Sequence, residues 1–145
     1  MPTKKSKLTV VMDPGATTGI AVFSNKSLVK LDSFLWQRDL VKLMHYIQHY
    51  AELGAHFVVE TPKRGAPGPK RNGVAMVRQK AQTLTSMVIG FGAEVDNMCP
   101  KYKVTKLGKE EFAKYFPKWD GKTNQHNRDA ALLGYVYLRE PKGEA

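Results

Sequence analysis

Hydrophobic positions open the chain in three short runs that have the composition of β-strands. Residues 8–12, LTVVM, are continuously apolar and rich in β-branched side chains, which is typical of a strand buried on both faces. A second strand is predicted over 18–23 and a third over 28–36, with a turn at Asn25 and Lys26 between them. The pattern therefore predicts a meander of three strands.

Beyond Gln37 the period of the pattern changes. Apolar positions repeat with helical spacing up to Gly54, which predicts a helix that ends there. The segment 56–60, HFVVE, is again short and β-branched and predicts a fourth strand. Because a helix joins two strands of one sheet as a crossover, we expect the first and fourth strands to be parallel.

The rest of the chain predicts one loop, three helices and one strand. Residues 61–72, TPKRGAPGPKRN, are dense in Pro and Gly and predict the loop. The elements that follow are a helix over 74–90, a strand over 93–99, a lysine-rich connector, a short helix near 110–115 and a last helix over about 125–138. The order βββαβαβαα predicts an α/β fold, a mixed five-stranded sheet flanked by helices, in a single domain spanning 1–145.

The composition limits the classes of molecule that the protein is expected to bind. The 23 Lys and Arg outnumber the 13 Asp and Glu, so the net charge is +10. Such a surplus favours nucleic acid ahead of an anionic membrane or an acidic protein, and a merely solvated basic surface is the alternative. The single cysteine, Cys99, excludes an internal disulfide and a multi-cysteine zinc site. No apolar run approaches the roughly 18 residues of a membrane span, so we expect a cytoplasmic protein of a bacterium, or of a phage inside its host.

Two carboxylates stand where predicted strands end. Asp13 follows the first strand and Glu60 closes the fourth. Because parallel strands end at the same edge of a sheet, where ligands bind in open α/β folds, both side chains are predicted to lie there. Each has a structural explanation when taken singly, since Asp precedes a Pro-Gly turn and Glu can simply end a strand. Their convergence at one edge favours a functional site.

The last helix, QHNRDAALLGYVYL, adds two polar groups. His126 and Asp129 are three residues apart and share one helical face. The apolar stripe that carries this helix onto the sheet is Ala130, Leu133, Gly134, Tyr137 and Leu138. Favourable interaction with the helix dipole is the structural alternative for Asp129. Together with Asp13 and Glu60, these groups form an oxygen-rich cluster suited to Mg²⁺ or Mn²⁺, of which Mn²⁺ tolerates imidazole better.

Three motifs carry a resemblance to a known family. DPGATTGIAVF, VVETP and HNRDAALLGYVYL, in this order and spacing, resemble the RuvC-type Holliday-junction resolvases of the ribonuclease H-like superfamily. The resemblance covers nearly the whole chain and implies a ribonuclease H-like sheet. It implies Asp13, Glu60 and Asp129 as metal ligands, with His126 where some members carry another carboxylate and others a histidine. It also implies a homodimer that cuts symmetric strands of a four-way DNA junction, with the helix near Val74 at the dimer contact.

The chain departs from the family in one respect. Family members often carry an aromatic residue shortly after the glutamate of the fourth strand, as a wedge at the junction. Here no aromatic residue occurs between Glu60 and Phe91. Either the junction is opened differently or another branched DNA is the preferred substrate.

Two basic segments predict contacts with DNA. The first contains no acidic residue and comprises Lys63, Arg64, Lys70, Arg71, Arg78 and Lys80. The second, KYKVTKLGK, contains Lys106 and Lys109, and the family resemblance suggests that one of these approaches the scissile phosphate. The aromatic residues Trp36, Tyr102 and Trp119 are predicted to pack within the protein rather than to stack on bases.

The leading hypothesis is an Mg²⁺- or Mn²⁺-dependent endodeoxyribonuclease that resolves four-way junctions. Asp13, Glu60 and Asp129 would hold two ions about 4 Å apart, which activate water and stabilise the leaving oxygen. His126 would complete a metal site, or orient or deprotonate the water.

Two other hypotheses are compatible with parts of the sequence. A non-catalytic nucleic-acid-binding module on the same fold is the first, although such a surface gains nothing by aiming carboxylates at phosphates. The second is an actin-like ATPase or sugar kinase, whose phosphate loop DPGATTG also resembles. Those enzymes need two such domains to enclose a nucleotide, and 145 residues provide one.

Overall fold

The order of elements is the predicted one. The computed structural model describes residues 7–62, 71–99 and 107–140. Its elements are β1 Leu8–Asp13, β2 Thr17–Ser24, β3 Ser27–Leu35, α1 Trp36–Glu52, β4 His56–Glu60, α2 Arg71–Gly90, β5 Glu94–Met98, α3 Lys109–Tyr115 and α4 Gln125–Arg139. The predicted order βββαβαβαα is confirmed, with α2 beginning three residues before the predicted start. Within the described ranges, no helix combines the length and apolarity needed to cross a bilayer.

The five strands form one mixed sheet in the order β3-β2-β1-β4-β5. β1 is antiparallel to β2 and parallel to β4, as the crossover through α1 predicts. β5 continues the parallel part beside β4, and β3 continues the antiparallel part beside β2. Because Met12 pairs with Val59, the next residues along these two strands, Asp13 and Glu60, end side by side.

Two apolar layers cover the sheet. Val10 and Met12 of β1 pack on one face with buried side chains of α1 and α2. Val11 faces the other way and packs with α3 and α4. Because strand side chains alternate between faces, Asp13 and Glu60 fall on the same side as Val11, beneath α4. The register therefore aims both carboxylates toward the helix that carries Asp129.

Two glycines let α4 approach the sheet closely. A Cβ at Gly19 of β2 would lie 2.0 Å from the carbonyl oxygen of His126, in the first turn of α4. A Cβ at Gly134 would lie 2.3 Å from Cε1 of Phe23. Both distances are far inside van der Waals contact, so only glycine permits this seating of the helix.

Candidate active site

Asp13 and Glu60 meet at the carboxyl edge of the parallel strands. Both side chains are half-buried, and the Asp13 carboxyl lies within hydrogen-bonding reach of Glu60. Burial raises the pKa of Asp13, and the hydrogen bond and charge of Glu60 together with the charge of Asp129 raise it further, to about 9. Two ionised carboxylates so close repel each other, and their oxygens are the donors that hard divalent cations prefer. The pair therefore fits a cation.

Asp129 approaches this pair from α4. Asp129 is half-buried, and its negative charge is close enough to Asp13 to help raise the pKa of that residue. Its Oδ1 accepts hydrogen bonds from the Leu107 backbone N–H at 3.0 Å and from Gln125 Nε2 at 2.8 Å. Asp129 is the fifth residue of α4 rather than a member of its first turn, which contains no acidic residue. The helix-dipole explanation of Asp129 is therefore wrong.

His126 is placed differently from the three carboxylates. Its side chain is exposed at the start of α4, while its backbone carbonyl lies against Gly19. Among the residues that the structure describes, no group of three or more His, Cys, Asp or Glu side chains is arranged to hold a metal ion. The structure thus pairs Asp13 with Glu60, brings the charge of Asp129 near, and leaves His126 at the rim.

The Leu107 peptide is held from both sides. Its N–H donates to Asp129, and its carbonyl accepts from Gln125 Nε2 at 3.1 Å and from Arg128 Nε at 2.9 Å. Arg128 is only 8% exposed and also donates from Nη1 to Thr123 Oγ1 at 2.8 Å. These residues belong to no motif in the sequence, and their one signal is the spacing of Gln125 and Asp129, at which helical side chains interact.

The basic residues divide into described and undescribed groups. Lys63, Arg64, Lys70 and Lys106, like Tyr102 and the side chain of Arg71, lie outside the described residues. Lys80 is half-buried, with its Nζ 5.7 Å from the centroid of the Trp36 ring. Trp36 directly follows β3, whose end pairs with the start of β2, so Lys80 lies toward the carboxylate edge of the sheet but on its other face, that of α1 and α2. Arg78 is half-buried, and Lys109 is exposed at the start of α3.

The two described tryptophans both pack on the core. Trp36 packs partly buried on the layer of α1 and α2, and Trp119 on that of α3 and α4. Packing is thus confirmed for both residues.

A second polar cluster lies at the opposite edge of the sheet. His56 Nε2 is 3.1 Å from Asp96 Oδ2 and 3.1 Å from the Tyr137 hydroxyl oxygen, and that hydroxyl donates to Asp96. These contacts join the beginning of β4 and the middle of β5 to the C-terminal half of α4. The two ends of α4 are therefore fixed by separate polar networks, of which only the N-terminal one contains the carboxylate pair.

Two solved structures share this arrangement of sheet and helices. Thermus thermophilus RuvC in complex with Holliday junction substrate aligns with a TM-score of 0.63 and 14% identity, over 90% of this chain and 93% of that one. A second Thermus thermophilus RuvC structure gives 0.59 and 13%, over the same shares. The chain has the RuvC fold. The α/β fold with a mixed five-stranded sheet, which the sequence predicts, is thereby confirmed.

The likeness to RuvC is one of structure. At 13% and 14% identity it establishes the fold of this chain. No protein-family model matches the sequence, and no curated protein matches it.

Proposed function

We propose that the protein is a metal-dependent endonuclease that resolves four-way DNA junctions. The observation that carries this proposal is the Asp13–Glu60 pair, which lies at the carboxyl edge of a RuvC-like sheet beneath Asp129. The raised pKa of Asp13 means that the pair keeps a proton near neutral pH, and a divalent cation that displaces this proton would be held by both carboxylates and could act on a bound phosphate. The net charge of +10 and the junction bound in the similar RuvC structure support branched DNA as the substrate class.

The proposed metal ligands are Asp13, Glu60 and Asp129, with Mg²⁺ or Mn²⁺ as the metal and two ions per site. Bound there, these ions would supply the activation of water and the stabilisation of the leaving oxygen in phosphodiester hydrolysis. Gln125 and the Leu107 N–H hold Oδ1 of Asp129 and so fix the direction of its carboxylate. His126, exposed at the rim, either completes the ligand set or orients or deprotonates the attacking water.

Incubation with a labelled four-way junction tests the proposal. We expect paired cuts in Mg²⁺ or Mn²⁺, none in EDTA, and none in a linear duplex of the same arm sequences. Binding without cleavage under both metals would instead identify a non-catalytic binding module. Cleavage without added nucleotide would exclude an actin-like ATPase.

We also propose that the enzyme acts as a homodimer through α2. The resemblance to the resolvases implies this helix as the dimer contact, and its side chains Met76 and Ile89 are exposed. Two active sites related by a twofold axis would match the symmetry of a four-way junction. Light scattering on the purified protein, with and without junction DNA, measures the oligomeric state directly.

DNA contact is proposed for both basic segments. The residues concerned are Lys63, Arg64, Lys70, Arg71, Arg78, Lys80, Lys106 and Lys109. Lysine and arginine side chains that neutralise phosphates make affinity strongly dependent on salt. Lys80 is the member best suited to a test, because its contact with the Trp36 ring places it toward the carboxylate edge of the sheet.

Replacing Lys80 with glutamine is expected to weaken junction binding at every salt concentration. The slope of log K against log [NaCl] should become shallower by about 1, because one phosphate contact is lost. Fluorescence anisotropy in EDTA measures binding without cleavage. Lys26→Gln, in the exposed turn at the other end of β2, is the matched control and should keep the original slope. Equal slopes for Lys80→Gln and the unaltered protein would exclude Lys80 from the interface.

Replacing Gln125 with leucine is expected to weaken Mn²⁺ binding about 10- to 100-fold and to slow cleavage similarly, because partners that orient a ligand have effects of this size. Calorimetry on the free protein measures the affinity. Gln82→Leu, at an exposed position of α2, is the control. If Gln125 acts through Asp129, it should have no further effect in an Asp129→Asn background. A full additional loss there would contradict the assignment.

A further inference from the structure

A hollow of about 510 Å³ lies between α3 and the segment that leads into α4. Three aromatic side chains line it, Phe112, Phe116 and Trp119. The two phenylalanines are buried in the core, whereas Trp119 is only partly buried. The volume lies in the range of small-ligand sites, and an aromatic wall offers a surface on which a planar group can stack.

Two lysines stand at the mouth of this hollow. Lys109 begins α3, Lys122 precedes α4, and both are exposed. Within the described part of the chain, neither lysine has an acidic partner within salt-bridge distance. Two such cations beside an aromatic wall are complementary to a ligand that joins a ring to an anion.

A buried arginine lies behind the hollow. Arg128 is 8% exposed, and among described residues no carboxylate pairs with its guanidinium. Its Nη1 donates to Thr123 Oγ1, and Thr123 lines the hollow. Because that oxygen accepts from Arg128, the hydroxyl proton of Thr123 is free to donate to an anion, whose charge Arg128 would also attract.

The hollow adjoins the carboxylate site through a short chain of contacts. Leu107 donates to Asp129 and accepts from Arg128, and Lys109 follows two residues later. Leu107 therefore links the carboxylate site to Arg128 and, through it, to Thr123 at the hollow. The cluster of His56, Asp96 and Tyr137 lies at the other edge of the sheet.

We propose that this hollow binds one unpaired nucleotide of a DNA strand, with the base against Trp119 and the phosphate between Lys109, Lys122 and Thr123. The inference rests on the proposed nuclease function for its ligand class, because it is the scissile DNA that brings a strand to this edge. It adds a subsite that selects unpaired nucleotides next to the carboxylates.

Fluorescence of Trp119 tests the proposal. The Trp36→Phe variant leaves Trp119 as the one tryptophan of the chain. Titration with a short oligothymidylate in EDTA should quench its emission, whereas a fully paired hairpin of equal charge should quench it much less. Equal quenching by the two DNAs, or none by either, would overturn the proposal.

Two further substitutions in the Trp36→Phe background localise the signal. Lys122→Gln should weaken oligothymidylate binding and make its salt slope shallower by about 1, whereas Lys114→Gln, exposed on α3 outside the hollow, should not. Gly121→Val should weaken binding at least about fivefold, because a Cβ there would lie 3.1 Å from the Trp119 ring and its methyl groups would fill the hollow. Unchanged affinity in both Lys122→Gln and Gly121→Val would overturn the proposal.

These measurements need neither metal nor cleavage. If the protein fails to cut junctions but oligothymidylate quenches Trp119, the nuclease proposal fails and the nucleotide subsite stands. If the protein cuts junctions but unpaired DNA does not selectively quench Trp119, the nucleotide subsite fails and the nuclease proposal stands.

Discussion

Replacing Asp13 with asparagine is expected to abolish cleavage of a four-way junction while leaving junction binding intact. Asparagine keeps the shape of the side chain but removes the charge that would bind a cation beside Glu60. The cleavage rate should fall by about three orders of magnitude or more, as for other single catalytic groups. Single-turnover cleavage in Mg²⁺ measures the rate, and anisotropy in EDTA measures binding.

The control for this substitution is Glu52→Gln, which removes an exposed carboxylate at the end of α1. It should leave both cleavage and binding unchanged. Full cleavage by the Asp13→Asn variant would eliminate the carboxylate pair as the catalytic centre. Loss of binding together with cleavage would mean that the substitution had altered the fold, which thermal unfolding would reveal.

The same substitution should also change how stability depends on pH. Asp13 has a pKa of about 9 in the folded protein, against about 3.9 for an aspartate in an unfolded chain. The stability that its proton contributes is complete below the lower value and is lost as the pH rises toward the higher one. In EDTA, the unfolding temperature of the unaltered protein should therefore fall from pH 5 to pH 8. Asp13→Asn should lessen that fall, and an equal decline in both proteins would contradict the raised pKa.

Local patterns were sufficient to predict the sheet and its carboxylate edge. The apolar run before Asp13 and the run before Glu60 each indicate a buried strand, and the helix between them determines their parallel direction. Strand alternation then places both side chains on one face. The pairing of these two residues thus follows from periods and connections that a single sequence displays.

One hydrogen-bond partner of Asp129 comes from a segment that is distant in the sequence. The periodicity of apolar residues gives no information about such contacts. Leu107 and Asp129 are 22 residues apart, and the apolar pattern contains no signal for their contact. Arg128 was not anticipated because an arginine within an amphipathic helix ordinarily predicts a solvent-facing position, whereas here backbone and hydroxyl acceptors hold it inside. His126 lies three residues before Asp129 on the same helix. Its side chain is nevertheless exposed at the rim of the site, because the half-buried face of α4 is directed toward Leu107.

Gly19 is the residue at which the motif DPGATTGI contacts the distant helix α4. The motif DPGATTGI contains two glycines, of which the first is predicted to lie in a turn and the second has no role that the sequence alone predicts. In the fold, Gly19 pairs with Asp13 across the sheet and lies against the first turn of α4. The absence of a side chain at residue 19 therefore determines how closely Asp129 can approach Asp13.

Replacing Gly19 with alanine is consequently expected to disrupt the site and to destabilise the fold by about 3 kcal/mol, at the upper end of the range for overpacking. The added Cβ would lie 2.0 Å from the His126 carbonyl oxygen and 2.8 Å from the Asn127 nitrogen, so backbone rather than a side chain must move. Urea unfolding measures the loss, and Mn²⁺ calorimetry on the fraction that remains folded should show weakened binding.

Gly73→Ala is the matched control, because a Cβ at this exposed position of α2 meets nothing within 4 Å. Alanine is a better helix former than glycine by up to about 1 kcal/mol, so this variant should be as stable as the original or more so. Comparing Gly19→Ala with Gly73→Ala separates the general effect of replacing a glycine by alanine from the effect of the contact with α4. If Gly19→Ala matched Gly73→Ala in stability and metal binding, the close seating of α4 would not be what brings Asp129 to the carboxylate pair.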